Sequence, residues 1–434
     1  MPGRTHETHV RVTPRGRALA LGGGVVALLG FAVGLTDLVV LGLVLPVAVG
    51  VAAVHTGLHR RERRRNALTT TRRVAPDPVL AGQATDVALV VSTVEHESAA
   101  RARLARMRIS ENVSAELAGT PPRGRQDVTT DEIRVLYSLR PELRGRWELG
   151  PATASVEDVF GLVEASRSFG GTTTVTVWPA VEELPARARS SFQHSSDAAA
   201  GSRRSSPDDA VLREYVVGDD LRRVHWASAA RRGRIMVRAD ESAGTPPATV
   251  LFDRALLVAP PGRASLTRPP GEWAVSCAGS FAVALVGSGH ATRVLGTAHV
   301  PDVAAVPHAS GGRGEGRAHV LDQCVDLTAL EEPAGAVRAV VDTSRALRGH
   351  RRHDELVLAV IAPQPQEGAD ALAGLAGDAF HGAVVVLPRN TTAALEERAA
   401  DTVAALRSAG WRAVTVFDGS PVARAWSSLA TEVA

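Results

Sequence analysis

Two long apolar runs open the chain, and short alternating runs replace them further on. Ala18 to Leu35 carries no charge, and after Thr36-Asp37 a second run extends from Leu38 to Val54. At about 1.5 Å per helical residue, each run is just long enough to cross a hydrocarbon layer of about 30 Å. The break between them has room only for a tight turn, where the Asp37 charge stays hydrated. From 67 to 186 polar and apolar positions alternate, predicting strands at Thr85–Thr93, Arg106–Ile109, Glu132–Leu139 and Thr172–Trp178. Proline- and glycine-containing turns such as Pro76-Asp77-Pro78 and Gly119-Thr120-Pro121-Pro122 separate them, and the pattern predicts an antiparallel β-sandwich. From 244 to 434 the strands become continuous apolar runs: Ala248–Phe252, Thr292–Leu295, Leu356–Ile361, Ala383–Leu387 and Ala413–Phe417. Helical patterns at Trp273–Val286, Ala336–Leu347 and Ala393–Ala409 fall between them, which predicts a doubly wound α/β domain with a buried parallel sheet.

Two stretches break these patterns. In 144–166, RGRWELGPATASVEDVFGLVEAS, the glycines and Pro151 supply turn geometry while Trp147 and Leu149 alternate toward a core. Asp158 ahead of Val159-Phe160-Gly161-Leu162 predicts a turn that packs its phenylalanine inward. Residues 187–209 are rich in Ser, Arg, Ala and Asp, with too few large apolar side chains to order themselves, and read as a linker.

Charge sharpens the amino-terminal reading. All 49 basic residues are arginine, an abundance that codon bias explains and that carries no functional weight alone. Their placement does matter: nine lie in residues 1–66, against Glu7, Asp37 and Glu62. Arg11, Arg15 and Arg17 precede the first run, and Arg60, Arg61, Arg63, Arg64 and Arg65 follow the second. Basic flanks around apolar runs suit a membrane surface better than nucleic acid, and the asymmetry puts both ends in the cytoplasm. The expectation is a two-pass inner-membrane anchor, with a basic N-terminus at 1–17, helices within 18–56 and the bulk of the chain cytosolic. Cys277 and Cys324 are the only cysteines, without the spacing of a zinc site or a disulfide framework.

The densest chemistry lies in 210–243. A strand over Val211–Val216 leads to Gly218, then Asp219 or Asp220 is placed to cap a helix from Leu221 to about Arg232, and Arg234–Arg238 forms the next strand. Arg213, Asp219, Asp220, Arg222 and Arg231 can form an ion-pair network that locks this turn. An exposed Arg222/Trp226 face can instead anchor a protein partner. His225 with Asp219 or Asp220 could serve acid–base chemistry, although no nucleophile or metal cluster accompanies them.

The spacing of Arg213, Tyr215, Gly218, Asp219, Arg222, Val224, Trp226 and Arg231 resembles the signature of the bacterial "domain of unknown function 58" family. The Arg144-Gly145 to Leu149-Gly150-Pro151 stretch and the two-helix anchor resemble that family too. One departure is Ala227, where a basic residue commonly follows the motif tryptophan. The resemblance implies that the α/β domain is von Willebrand factor A-like, and that the partner is a MoxR-type AAA+ ATPase. Domains of that type can hold a divalent cation through Asp-x-Ser-x-Ser, but here the place reads Asp253-Arg254-Ala255-Leu256-Leu257. One carboxylate does not make a hard-cation site, so no metal and no cofactor are expected. The 308–316 stretch reads as a loop, and Arg348–His353 as a cationic turn on a solvated face. The expected function is non-enzymatic: a membrane-anchored cytosolic scaffold or adaptor for assembly or envelope-linked regulation. A metal-dependent ligand-binding module and a hydrolase built on Asp219, Asp220 and His225 are the alternatives.

Overall fold

The computed structural model describes residues 8–58, 68–93, 107–118, 124–129, 132–185, 212–214, 234, 236–238, 245–257, 271–310, 314–352 and 354–431. The chain divides into two compact units, Met1–Val177 and Trp178–Ala434.

In the first unit a short strand β1 (Thr8–Val12) leads into helix α1 (Pro14–Val33), and α2 (Thr36–Leu58) follows. Both helices are long and apolar enough to cross a membrane. Thr13 caps α1 by accepting the Gly16 amide, so the helix starts four residues before the apolar run does, and Pro14 occupies its first turn. Gly34, with φ +77°, ends α1 in the left-handed conformation. Asp37 lies in the first turn of α2, where its charge favours the helix's positive end. The two helices approach closely because small residues line their seam. A Cβ on Gly23 would stand 2.6 Å from the Gly42 carbonyl oxygen, and one on Gly42 would collide with the Ala27 backbone.

The alternating region forms a two-sheet sandwich. Strands β2 (Leu68–Ala75), β3 (Val79–Leu80), β4 (Thr85–Thr93), β5 (Arg108–Val113), β6 (Arg125–Val128), β7 (Glu132–Leu139), β8 (Gly145–Glu157), β9 (Val163–Phe169) and β10 (Thr173–Trp178) follow in order. One sheet runs β2-β4-β7-β6; the other runs β1-β9-β8-β10-β3, with β5 also pairing with β8. Leu89, Ile133, Leu139, Leu149 and Val175 fill the space between them. The expected strands at Thr85–Thr93 and Glu132–Leu139 have the bounds the pattern gave. The one placed at Arg106–Ile109 lies instead at Arg108–Val113, where Ile109 is buried and Glu111 also turns inward.

Glu111 belongs to a polar clamp inside this apolar setting. Arg72 of β2 bonds Glu111 of β5, and the Tyr137 hydroxyl of β7 donates to the same carboxylate, tying one sheet to the other. The Arg72 and Glu111 side chains are only 5% and 2% exposed. Burial, followed by the Glu111 contact, raises the Tyr137 hydroxyl well above its ordinary range, keeping it a neutral donor. Gly150, at φ +102°, leaves room for the clamp, since a Cβ there would lie 2.7 Å from Nη2 of Arg72.

In the second unit, β11 (Leu212–Glu214) and β12 (Met236–Arg238) form a small sheet of their own. Strands β13 (Ala248–Phe252), β14 (Thr292–Gly296), β15 (Leu356–Ile361), β16 (His381–Leu387) and β17 (Arg412–Phe417) make one parallel sheet ordered β14-β13-β15-β16-β17. Helices α3 (Glu272–Gly287), α4 (Glu315–Val325), α5 (Ala336–His350), α6 (Gln366–Ala373), α7 (Ala393–Ser408) and α8 (Val422–Thr431) cover it. Successive strand residues serve opposite cores. Val250, Phe252, Leu358, Val360 and Val384 face α3, α4 and α8, whereas Leu251, Val357, Ala359, Val385 and Leu387 face α5, α6 and α7. That double coverage explains the uninterrupted apolar runs.

Residues 178–185, which the alternating pattern assigned to the sandwich, pack within the second unit. Trp178 donates to Asp322 at 2.8 Å, and Glu182 accepts the Val422 amide at 3.0 Å, capping α8. The inward Phe160 is also overturned: Phe160 is 76% exposed and Val159 89%, while Leu162 and Val163 are the buried members of that turn.

Candidate functional site

The signature segment is framed by the antiparallel pair β11 and β12, in which Arg213 stands opposite Val237. Within the two expected strands, Leu212–Glu214 and Met236–Arg238 are strands. Tyr215, Gly218, Asp219, Asp220, Arg222, Val224, His225, Trp226 and Arg231 lie outside the described residues, as does the linker 187–209. The ion-pair network expected among them is therefore neither assembled nor dismantled by the structure.

The second candidate centre lies where doubly wound sheets place their ligands, outside the carboxyl ends of strands that diverge in connection. Asp253 follows β13 at this point and is fully buried. Its Oδ1 accepts the Ala255 amide at 3.0 Å and the Thr297 hydroxyl at 3.5 Å. Its Oδ2 accepts the Ala362 amide at 3.2 Å and Nε2 of Gln364 at 2.8 Å. Burial pushes the carboxyl up, and these four donors pull in the opposite direction. All four of these neighbours donate to the carboxylate, and among the described residues Asp253 is the one carboxylate at this point, whereas a hard cation needs several oxygen ligands converging on it. Arg254 turns away, bonding the Thr328 and Ala329 carbonyls and the Thr328 hydroxyl. The residues present do not fit a divalent cation. Asp253 instead ties three strand ends together by accepting bonds from the segments that follow β13, β14 and β15.

At the other end of the same strands is a charged cluster that periodicity could not disclose. Glu355 is 1% exposed, and its Oε1 accepts from Nη2 of Arg293 at 3.0 Å, from Nε2 of His308 at 3.2 Å and from the Thr249 hydroxyl. Its Oε2 accepts the Arg352 amide at 3.1 Å. Arg293 also donates to the Val303 carbonyl and the Thr249 hydroxyl. Burial alone would raise the Glu355 carboxyl; the bonds from His308 and Thr249 and the Arg293 charge outweigh it and hold it down at about 2. His308 is thus held in place, and Glu315 and Gly316, expected in the same loop, already belong to α4. A partial signal existed, since a lone arginine at 293 interrupts an apolar strand and requires a buried acid.

The cationic turn is likewise partly structural. Arg351 Nη1 donates at 2.9 Å to Nε2 of His381, whose Nδ1 bonds the Ala379 carbonyl at 2.7 Å. Burial, with the Arg351 charge nearby, lowers His381 to about 4, so the ring is neutral at pH 7. Arg348 reaches the Ala371 carbonyl of α6. A groove of about 380 Å³ beside β14 and α4 is lined by Arg254, Asp302, His319, Gln323 and Asp326 together with apolar side chains. Gln323 in its wall already bonds the Val294 amide and the Pro307 carbonyl. Cys277 and Cys324 are buried in the apolar core, and burial raises the Cys277 thiol.

No protein-family model and no curated protein matches the chain. Among solved structures, a point mutant of the PilB minor pilin from Streptococcus sanguinis is similar over 79% of this chain and 81% of that one. The identity is 7% and the TM-score 0.27, which do not establish a common fold. Among the described residues, no group of three or more His, Cys, Asp or Glu side chains is arranged to hold a metal ion.

Proposed function

We propose that the chain is a membrane-anchored, non-enzymatic scaffold of the "domain of unknown function 58" type, whose α/β unit is von Willebrand factor A-like. It holds its folded units at the cytosolic face and engages a MoxR-type AAA+ ATPase through the Arg222/Trp226 face of its signature segment. The main support is the way the apolar helices are built into the sandwich. β1 pairs with β9 from Thr8↔Arg167 to Val12↔Val163 and runs directly into α1, so the anchor and the first folded unit share a backbone ladder. Such a joint suits a device that positions a domain at a bilayer. The signature segment, held between paired β11 and β12, suits presentation of a short recognition element.

Two experiments test this reading. Full-length protein purified in detergent should enrich a MoxR-type ATPase, identified by mass spectrometry and by ATP hydrolysis in the eluate. Arg222→Ala with Trp226→Ala should reduce that enrichment several-fold, whereas His225→Ala should leave it unchanged. Loss with His225→Ala alone, or no ATPase above background, removes the proposal. The metal-dependent alternative predicts heat on titrating the full-length protein with magnesium or manganese. The saturated Asp253 carboxylate predicts none, by isothermal calorimetry, because binding would require breaking its internal hydrogen bonds.

A further inference from the structure

The turn between β8 and β9 presents two large apolar side chains to the outside, and its position makes them more than stray surface residues. Isolated exposed aliphatics are common, but Val159 at 89% and Phe160 at 76% are adjacent, in a chain with only eight phenylalanines. The turn is held against the amino-terminal end of α1. The Thr13 hydroxyl donates to the Gly161 carbonyl at 2.6 Å, the Thr13 amide donates to the Leu162 carbonyl at 2.9 Å, and a Cβ on Gly16 would collide with that same carbonyl.

Its depth along the helices can be read from its packing. Leu162 and Val163 form a buried cluster with Val49, against which Ala20, Ala52 and Ala53 pack. Ala20 and Val49 lie inside the two apolar runs, not in their basic flanks. The turn therefore reaches the level at which the spans begin. Leu19, Leu21, Val51 and Val54, next in sequence to the residues that pack against Leu162 and Val163, are 41–71% exposed, so the helices present apolar surface at this level. Arg15 and Arg17, both exposed, mark the adjacent polar boundary, where lipid phosphates would sit.

The turn is also suited to leaving water. The Val163 and Phe160 amides donate to the Asp158 carboxylate at 2.7 and 3.2 Å, and the Gly161 amide donates to the Asp158 carbonyl at 3.0 Å. The Asp158 amide in turn donates to the Val163 carbonyl at 2.9 Å. The amides of Asp158, Phe160, Gly161 and Val163 are thus satisfied within the protein, which lowers the cost of entering a low-dielectric layer, and apolar side chains next to basic ones are the usual form of an interfacial contact.

We propose that the Asp158–Leu162 turn is a lipid-contacting wedge, with Val159 and Phe160 entering the interfacial layer of the bilayer beside the start of α1. The wedge rests on the reading of α1 and α2 as membrane-spanning. It would give the sandwich a second point of attachment and fix its orientation, which two helices alone do not.

The test uses full-length protein in phosphatidylcholine–phosphatidylglycerol vesicles. Val159→Cys, Phe160→Cys, Leu28→Cys and Val300→Cys are made singly and labelled with an environment-sensitive fluorophore, the unsubstituted protein giving the background from buried Cys277 and Cys324. Quenching by lipids brominated high on the acyl chain should be several-fold stronger at 159 and 160 than at 300, and a collisional quencher in water should act correspondingly less. Water exposure at both 159 and 160, with Leu28 in lipid, overturns the wedge and returns the turn to solvent or to a protein partner. A water-exposed probe at Leu28 overturns the anchor and the wedge together, so the two failures are distinguishable.

Discussion

Replacing Glu355 by alanine lowers the stability of the α/β unit by about 3–5 kcal/mol, the range for removing one member of a buried ion pair. The substitution leaves the Arg293 guanidinium, 6% exposed, without its carboxylate in an apolar surround. It also removes the acceptor for Thr249, His308 and the Arg352 amide. At roughly 2–4 °C per kcal/mol for a unit of this size, the thermal midpoint should fall by about 6–20 °C. Measurement of unfolding in detergent by circular dichroism checks this. Because the lost partner leaves a charge behind, Glu355→Ala combined with Arg293→Met should recover part of the loss. A midpoint within a degree or two of the parent for the single variant would show that the cluster is not a stabilising element.

Acidification should destabilise the same unit in two stages. Glu355 is held at about 2 against an ordinary 4.5, so its contribution is full above pH 4.5 and disappears as pH falls toward 2. His381 is held at about 4 against 6.5, so the unfolded chain takes up a proton between those values while the folded one does not. Its contribution is full above pH 6.5 and is lost as pH falls toward 4. Both groups therefore act in the same direction. At about 1.4 kcal/mol per pH unit of separation, each amounts to roughly 3–4 kcal/mol. The physical causes of the first stage are visible in the structure: His381 is buried, which disfavours a charged ring, and its Nε2 accepts from Arg351, so protonation would also place two cations in contact. A His381→Gln variant should flatten the profile between pH 6.5 and 4 and leave the lower limb intact. An unchanged profile in that window would exclude His381 as its source.

The legibility of the chain follows from what each signal depends on. Strands Thr85–Thr93 and Glu132–Leu139 were readable because one face of each is buried and the other is not, which writes a period of two into the residues. The parallel strands were readable for the opposite reason, since burial on both faces erases that period. Beyond the lone arginine at 293, the cluster of Glu355, Arg293 and His308 was not readable, because its members come from separate loops and strand ends that only the folded sheet brings within hydrogen-bond distance. The segment 178–185 takes its neighbours from tertiary contacts that a local pattern does not record, here α4, α3 and α8.

Sequence by itself determined two apolar helices, a region of alternating strands and a parallel sheet between helices, since each is a local pattern of burial. It also marked the Arg213–Arg231 segment through residue spacing alone. Tertiary structure alone decided that Asp253 is an internal tie, because an aspartate's role depends on whether donors or acceptors surround it. It alone decided that Phe160 points outward, because in a short turn one residue of register exchanges the buried and exposed sides, and here Leu162 took the inner place against Val49.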